Sequence, residues 1–87
     1  MIHELTLTPE QIADCSHQGA CDADVEYWGS RIPELLTIPA DAIRSCLQGY
    51  GAWDSEELQD DEQNRRRLLW IAAGYCMDTG EHSFCVE

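Results

Sequence analysis

The sequence contains no lysine, and its five basic residues are all arginines. Against them stand 17 aspartates and glutamates, so the formal net charge of the 87 residues is −12. Nucleic acids and anionic membranes carry charge of the same sign, and a surface of this kind repels both. The composition therefore argues against direct binding of nucleic acid or membrane, and it favours basic partners.

Motifs for catalysis and phosphate binding are missing as well. There is no glycine-rich phosphate loop, no His-Glu-x-x-His, and no family-specific signature around any cysteine. A chain of this length has little room to bury a substrate pocket. Carboxylates spread along the whole sequence are more typical of a solvated surface than of a catalytic pair. We therefore expect a protein that is not an enzyme and that uses no cofactor.

The five cysteines lack the Cys-x-x-Cys spacing of structural zinc sites. Four of them fall into two groups, one around Cys15 and Cys21, and another that combines Cys76 and Cys85 with His82; Cys46 lies apart. The odd number of cysteines and the absence of a signal-peptide pattern favour free thiols in the cytoplasm. We expect no metal. A small zinc-stabilised domain that draws its ligands from the five residues of these two groups is the alternative.

The densest apolar run extends from Leu68 to Met77 and follows three arginines. Its leucines and alanines favour a helix, and Ile71 is its only β-branched residue. Because the run is apolar on all faces, we expect other elements to surround it. It is far shorter than the roughly 20 residues that cross a bilayer.

The other helices are predicted from capping signals. Thr8-Pro9-Glu10-Gln11 combines a capping box with a first-turn proline and predicts one helix from residue 9 to about 28, ended by Gly29. A break into two helices at Gly19 is the alternative. After a connector with a helical turn over residues 34–36, Pro39 opens a second helix that ends near Gly49.

The last helix is predicted from about Ser55 to Met77, with Asp54 as its cap. Acid-first spacing predicts ion pairs from Asp61 to Arg65 and from Glu62 to Arg66. Together these elements predict a single all-α domain over residues 1–87. It is a compact bundle of three to four helices with a buried C-terminal helix, and both termini have the spacing of short extended segments.

Acidic residues are concentrated in two stretches of the sequence. Self-repulsion on this scale destabilises a compact chain, so we predict that the charge has a use. Carboxylates on a rigid scaffold can imitate nucleic-acid phosphates and occupy a groove lined by arginine and lysine. The simpler interpretation is that acidity only confers solubility. The predicted partner-binding residues are Asp54, Glu56, Glu57, Asp60, Asp61 and Glu62 in one patch, and Glu10, Asp14, Asp22, Asp24 and Glu26 in a second.

Two parts of the sequence carry a resemblance. The opening Leu5-Thr6-Leu7-Thr8-Pro9-Glu10-Gln11-Ile12-Ala13-Asp14, followed by Tyr27-Trp28-Gly29, resembles small phage and prophage proteins. Gly51-Ala52-Trp53-Asp54 and Leu68-Leu69-Trp70-Ile71-Ala72-Ala73-Gly74 have the same character. Small acidic proteins from such genomes often inhibit host defences, as anti-CRISPR and anti-restriction proteins do. The resemblance transfers no functional residue.

The resemblance implies an inhibitor that works in the host bacterial cytoplasm. It would mimic nucleic acid and block the basic groove of a host nucleic-acid-binding protein, such as a CRISPR effector. A protein–protein adaptor that binds through exposed aromatic residues such as Tyr27, Trp28 and Trp53 is a further alternative. High salt would weaken the acidic mode of binding and spare the aromatic one. The oligomeric state is open at this point.

Overall fold

A computed structural model describes residues 2–18 and 24–87, without the side chains of residues 16–18. Its elements are, in chain order, β1 (His3–Thr6), α1 (Pro9–Gln18), α2 (Val25–Arg31), α3 (Glu34–Thr37), α4 (Ala40–Gly49), a 3-10 turn (Glu57–Gln59), α5 (Asp61–Thr79) and β2 (Ser83–Val86). The fold is mainly helical, as predicted. The all-α prediction was incomplete, because two strands are also present.

Helix α5 lies at the centre of the molecule. It packs chiefly against α1 and α4, and also contacts α2, α3, the 3-10 turn and β2. Its buried face joins a single hydrophobic core to which the described helices α1–α5, both strands and the 3-10 turn contribute. The largest fully buried apolar side chains are Leu5, Leu7, Ile32, Leu35, Ile43, Leu47, Leu58, Leu68, Leu69 and Val86.

The extended segments expected at the two ends of the sequence pair with each other. Strands β1 and β2 are antiparallel, with His3 opposite Val86 and Leu5 opposite Phe84. Leu5, Phe84 and Val86 are buried, whereas Glu4 and Cys85 between them are exposed. The alternation places one face of this small sheet on the core.

The prediction of one helix over residues 9–28 was wrong. The capping box itself is present, because the amide of Thr8 donates to Gln11 Oε1 (2.9 Å) and the amide of Gln11 donates to Thr8 Oγ1 (3.2 Å). Asp24, however, has an extended backbone, and its carboxylate accepts a hydrogen bond from the Glu26 amide as the N-cap of α2. This capping aspartate starts a separate helix.

Gly29 does not end a helix, because α2 continues to Arg31. A Cβ at Gly29 would lie only 2.5 Å from Leu36 Cδ1. The glycine is therefore explained by the close approach of the α3 side chain to α2. In contrast, α4 begins after Pro39 and ends at Gly49 as predicted, and the expected helical turn over 34–36 is part of α3.

The prediction that other elements surround the apolar run from Leu68 to Met77 was wrong on one side. Leu68, Leu69, Ala72, Ala73 and Cys76 are buried. Other large side chains of the run remain well exposed, and they are Trp70, Tyr75 and Met77. A domain of this size has too few elements to cover every face of its central helix.

Candidate functional site

The first predicted patch forms a continuous exposed segment, which we name the acidic ridge. It covers the 3-10 turn, the loop before it and the first turn of α5. The prediction of a continuous helix from Ser55 was wrong, because Asp60 has an extended backbone and α5 starts only at Asp61. All six carboxylate residues of the ridge are exposed: Asp54, Glu56, Glu57, Asp60, Asp61 and Glu62.

Leu58 anchors the acidic ridge to the core. Its side chain is fully buried, and its carbonyl oxygen accepts hydrogen bonds from Asn64 Nδ2 (2.9 Å) and Arg44 Nε (3.0 Å). Asn64 is itself 1% exposed and is the only buried polar residue among those that the structure describes. Because these two donors come from α5 and α4, the position of the ridge is fixed by tertiary contacts.

Two ridge carboxylates are occupied in capping the backbone. Glu57 Oε1 accepts a hydrogen bond from the amide of Asp54 (3.1 Å), three positions earlier, as in one arm of a capping box. Asp60 Oδ1 accepts from the amides of Glu62 (3.1 Å) and Gln63 (3.2 Å) and so caps α5. These carboxylates stabilise the ends of the turn and the helix.

Two further ridge carboxylates form ion pairs with arginines. Glu62 Oε1 lies 2.9 Å from Arg66 Nη2, as predicted, but Asp61 pairs with Arg44 (3.0 Å) and not with Arg65. Within the described residues, the carboxylates of Asp54 and Glu56 have neither a hydrogen bond nor an ion pair. Among the ridge acids, these two carboxylates are therefore the ones that stabilise no described contact within the fold.

The second predicted patch is divided between two helices. Glu10 and Asp14 lie exposed on α1, whereas Asp24 caps α2 and Glu26 lies in its first turn. Asp22 falls outside the described residues. The structure therefore separates this patch into an α1 part and an α2 part.

One cleft brings the two predicted patches together. It has a volume of about 420 Å³, and Asp24 and Glu26 of the second patch line it opposite Glu62 of the acidic ridge. Its other lining residues are Val25, Leu36 and Arg65. Carboxylates nearly 40 positions apart in the sequence therefore share one surface depression.

The arginine side chains are directed into contacts within the fold. Arg65 Nη1 donates to the carbonyl oxygens of Leu35 (2.7 Å) and Ile38 (3.0 Å), and Arg67 Nη1 donates to the carbonyl oxygen of Glu57 (2.9 Å). The guanidinium of Arg31 lies 3.5 Å from the centre of the Tyr27 ring. Together with Arg44 and Arg66, which are ion-paired, all five arginines have contacts within the fold. Most carboxylates of the described residues lack a cationic partner.

The aromatic residues proposed for an adaptor are poorly placed for that role. Trp28 is buried, which corrects the expectation that it is exposed. Trp53 is half-buried, with the guanidinium of Arg67 5.3 Å from its ring centre. Tyr27 is exposed, but its ring already contacts Arg31 on its face and Trp28 in an edge arrangement.

The structure instead shows an aromatic surface that the sequence interpretation missed. A groove of about 450 Å³, which we name the aromatic groove, is lined by Tyr50, Trp70, Ile71, Gly74, Tyr75 and Met77, with Asp78 beside them. The signal for it was present in the sequence. A helix that is apolar all round, in a chain this short, leaves part of its surface uncovered.

The cysteines and His82 do not form a metal cluster in the part of the chain that the structure describes. No three His, Cys, Asp or Glu side chains come together there in an arrangement that could hold an ion. Cys15 and Cys76 are buried, whereas Cys85 and His82 are exposed; Cys21 lies outside the described residues. Burial, assisted by the negative charge of Asp14, raises the pKa of Cys15 to about 11.

Comparison of the chain with protein-family models, curated proteins and solved structures gives no match. In residues 2–18 and 24–87, no helix combines the length and apolar character needed to cross a bilayer. Two surfaces are therefore the candidate functional sites, the acidic ridge with its cleft and the aromatic groove.

Proposed function

We propose that the protein is a small non-enzymatic inhibitor that binds a basic groove of a nucleic-acid-handling protein. The observation that carries this proposal is the distribution of charge. Every arginine is held in contacts within the fold, whereas Asp54, Glu56 and the carboxylates of the Asp24–Glu26–Glu62 cleft face solvent. A surface of this kind attracts cationic partners over distances set by the ionic strength.

The binding surface of this proposal is smaller than the set of acids in the two sequence clusters. Glu57 and Asp60 cap backbone amides, and Asp61 is paired with Arg44, so part of their charge is already satisfied. Asp24 likewise caps α2, and Glu62 is paired with Arg66. The proposed contact residues are therefore Asp54 and Glu56 on the ridge and Glu26 in the cleft. These carboxylates would take the positions that phosphates occupy in the partner's groove.

The class of partner follows from the resemblance of the opening and of the Trp53 and Trp70 stretches to phage proteins. A phage protein that imitates nucleic acid would gain most by blocking a host defence protein, such as a CRISPR effector, in the bacterial cytoplasm. The resemblance supports this part of the proposal, and the charge distribution supports the mode of binding.

The test compares three immobilised proteins in a pull-down from bacterial lysate. The first is the wild type, the second carries Asp54→Lys and Glu56→Lys, and the control carries Glu4→Lys and Glu87→Lys. Both variants change the net charge equally, so non-specific electrostatic capture is matched. We expect the wild type and the control to retain the same nucleic-acid-binding proteins, which elute as salt is raised from about 0.1 M to about 1 M.

The ridge variant is expected to retain much less of these proteins, and the captured partner should lose its binding to DNA or RNA when the wild-type protein is added. If all three columns retain the same proteins, the ridge is not the binding surface. If the captured protein binds nucleic acid equally well in the presence of the wild type, the inhibitor proposal is wrong.

A further inference from the structure

The aromatic groove is built on the solvent-facing side of α5. Trp70, Gly74 and Met77 follow one another at intervals of four and three residues, so they lie along one face of the helix. Tyr50, at the end of α4, lines the groove with them. Tyr50 is 52% exposed, Trp70 46%, Tyr75 41% and Met77 53%, so a large part of each side chain is open to solvent.

The groove has a gap at its centre because residue 74 lacks a side chain. A Cβ at Gly74 would meet no atom within 4 Å, so the space above this position is open. Tyr75 is fixed in place, because its hydroxyl donates to Glu81 Oε2 (2.8 Å) and its ring packs edge-on against Phe84 (5.4 Å). A groove with positioned walls loses less conformational entropy when a ligand enters it.

The electrostatics of the groove favour a cation. Asp78 lines it, Glu81 lies next to Tyr75, and none of its lining residues is basic. The faces of tyrosine and tryptophan rings also attract cationic groups. A second copy of the chain is disfavoured as the occupant, since each copy carries a net charge of −12. The same repulsion disfavours an anionic membrane.

We propose that the aromatic groove binds an amphipathic cationic peptide segment of a partner protein. An arginine or lysine of that segment lies over the rings of Tyr50, Trp70 and Tyr75, beside Asp78. Apolar side chains of the segment pack on Ile71 and Met77 and fill the space above Gly74. The lining residues of the groove include none of the acidic ridge, so a negative result at one surface does not contradict the proposal for the other.

The test uses two fluorescein-labelled helical peptides that share the same leucine positions. One carries arginine at every polar position, and the other carries glutamate. Binding is measured by fluorescence polarisation of the labelled peptide. We expect the arginine peptide to bind and the glutamate peptide not to bind.

Gly74→Leu fills the groove, and Trp70→Ala removes its largest wall; each should weaken binding of the arginine peptide at least about tenfold. Asp78→Asn should weaken it about two- to fivefold. Tyr27→Ala, which removes an exposed tyrosine outside the groove, is the matched control and should leave affinity unchanged. Circular dichroism checks that every variant is folded.

The Asp54→Lys and Glu56→Lys variant distinguishes this proposal from the preceding one. If it loses the arginine peptide while Gly74→Leu retains it, the peptide binds the ridge and the groove proposal is wrong. The same conclusion follows if the glutamate peptide binds equally well, or if no binding occurs up to about 1 mM peptide. A monomer–dimer equilibrium that Gly74→Leu abolishes, seen by sedimentation, would identify a second copy as the occupant and would also overturn it.

Discussion

The two ends of helix α5 use their solvent-facing side chains in opposite ways. At the N-terminal end, the exposed groups are charged, but Asp60, Asp61 and Glu62 already cap the helix or pair with arginines. At the C-terminal end, the exposed groups are apolar, and a large part of the Trp70 and Met77 side chains is open to solvent.

This comparison shows that the number of charges at a surface does not measure how many are available to a partner. In the acidic ridge, four of the six carboxylates are bound within the fold. In the aromatic groove, Tyr75 is held by Glu81 and Phe84, whereas the space above Gly74 is open. The acidic ridge, which the sequence marks as the more obvious binding surface, thus has more of its side chains in contacts within the fold.

The largest expected effect concerns the anchor of the acidic ridge. Leu58→Ala should lower the free energy of unfolding by about 3 kcal/mol, because it leaves a cavity in the core. Leu36→Ala is the matched control. Leu36 is half-exposed, so its loss should cost no more than about 1 kcal/mol. Urea denaturation monitored by tryptophan fluorescence measures both, and equal losses would show that the ridge is not anchored at Leu58.

A pH titration tests the core beneath the apolar half of α5. Cys15 of α1 belongs to the same core as Leu68 and Leu69. Burial raises the pKa of Cys15 from 9.0 to about 11. Between these values the unfolded chain releases the thiol proton and the native protein keeps it. The protonated Cys15 thiol therefore makes its full contribution to stability below pH 9. The free energy of unfolding then falls as the pH rises toward 11, at about 1.4 kcal/mol per pH unit.

The Cys15→Ala variant has no thiol at this position and therefore lacks this pH dependence of stability. From about pH 8 to about pH 10, the wild type should lose about 1 kcal/mol more stability than the variant does. Cys46 and Cys76, whose pKa values burial also raises, contribute equally to both proteins. Parallel pH profiles for the two proteins would mean that the Cys15 thiol is accessible to solvent.

The smallest expected changes in stability come from alanine substitutions at two glycines, one in the C-terminal half of α5 and one at its C-cap. A Cβ at Gly74 or at Gly80 would meet no atom within 4 Å, so alanine at either position tests the backbone alone. Gly74→Ala should stabilise the protein by about 0.5–1 kcal/mol, because alanine is the better residue inside a helix. Gly80 has a φ of +74°, so Gly80→Ala should destabilise it by about 1 kcal/mol. Thermal denaturation measures both, and a loss of stability in Gly74→Ala would show that the space above it is occupied.

Local signals in the sequence predicted the elements whose causes are local. The capping box of Thr8 and Gln11, the proline before α4, and the pair of Glu62 and Arg66 all involve residues within four positions of one another. The strand-like spacing of the two ends was also recognisable. The mainly helical fold followed from these features.

Contacts between distant residues account for what could not be predicted. The helix predicted from Ser55 is interrupted within the acidic ridge, where Arg44, 14 positions from Leu58, and the buried Asn64 both donate to the Leu58 carbonyl oxygen. Arg65 does not pair with Asp61, because its guanidinium donates to the carbonyl oxygens of Leu35 and Ile38, about 30 positions earlier. Spacing along one helix carries no information about such partners.

The aromatic groove was missed for a different reason. Periodicity describes which faces of a helix are apolar, but it does not count the elements that can cover them. An apolar helix in a longer chain would be covered on every side. Here the small sheet and four other described helices leave one face of α5 open.

The antiparallel pairing of β1 with β2 has a consequence for synthesis of the protein. During translation, residues 3–6 are synthesised about 80 positions before residues 83–86. Until then the first strand has no hydrogen-bonding partner, and Leu5 and Leu7 have an incomplete hydrophobic pocket. The helices can form as they emerge, but β2 is synthesised after all of them, so completion of the fold awaits the synthesis of residues 83–86.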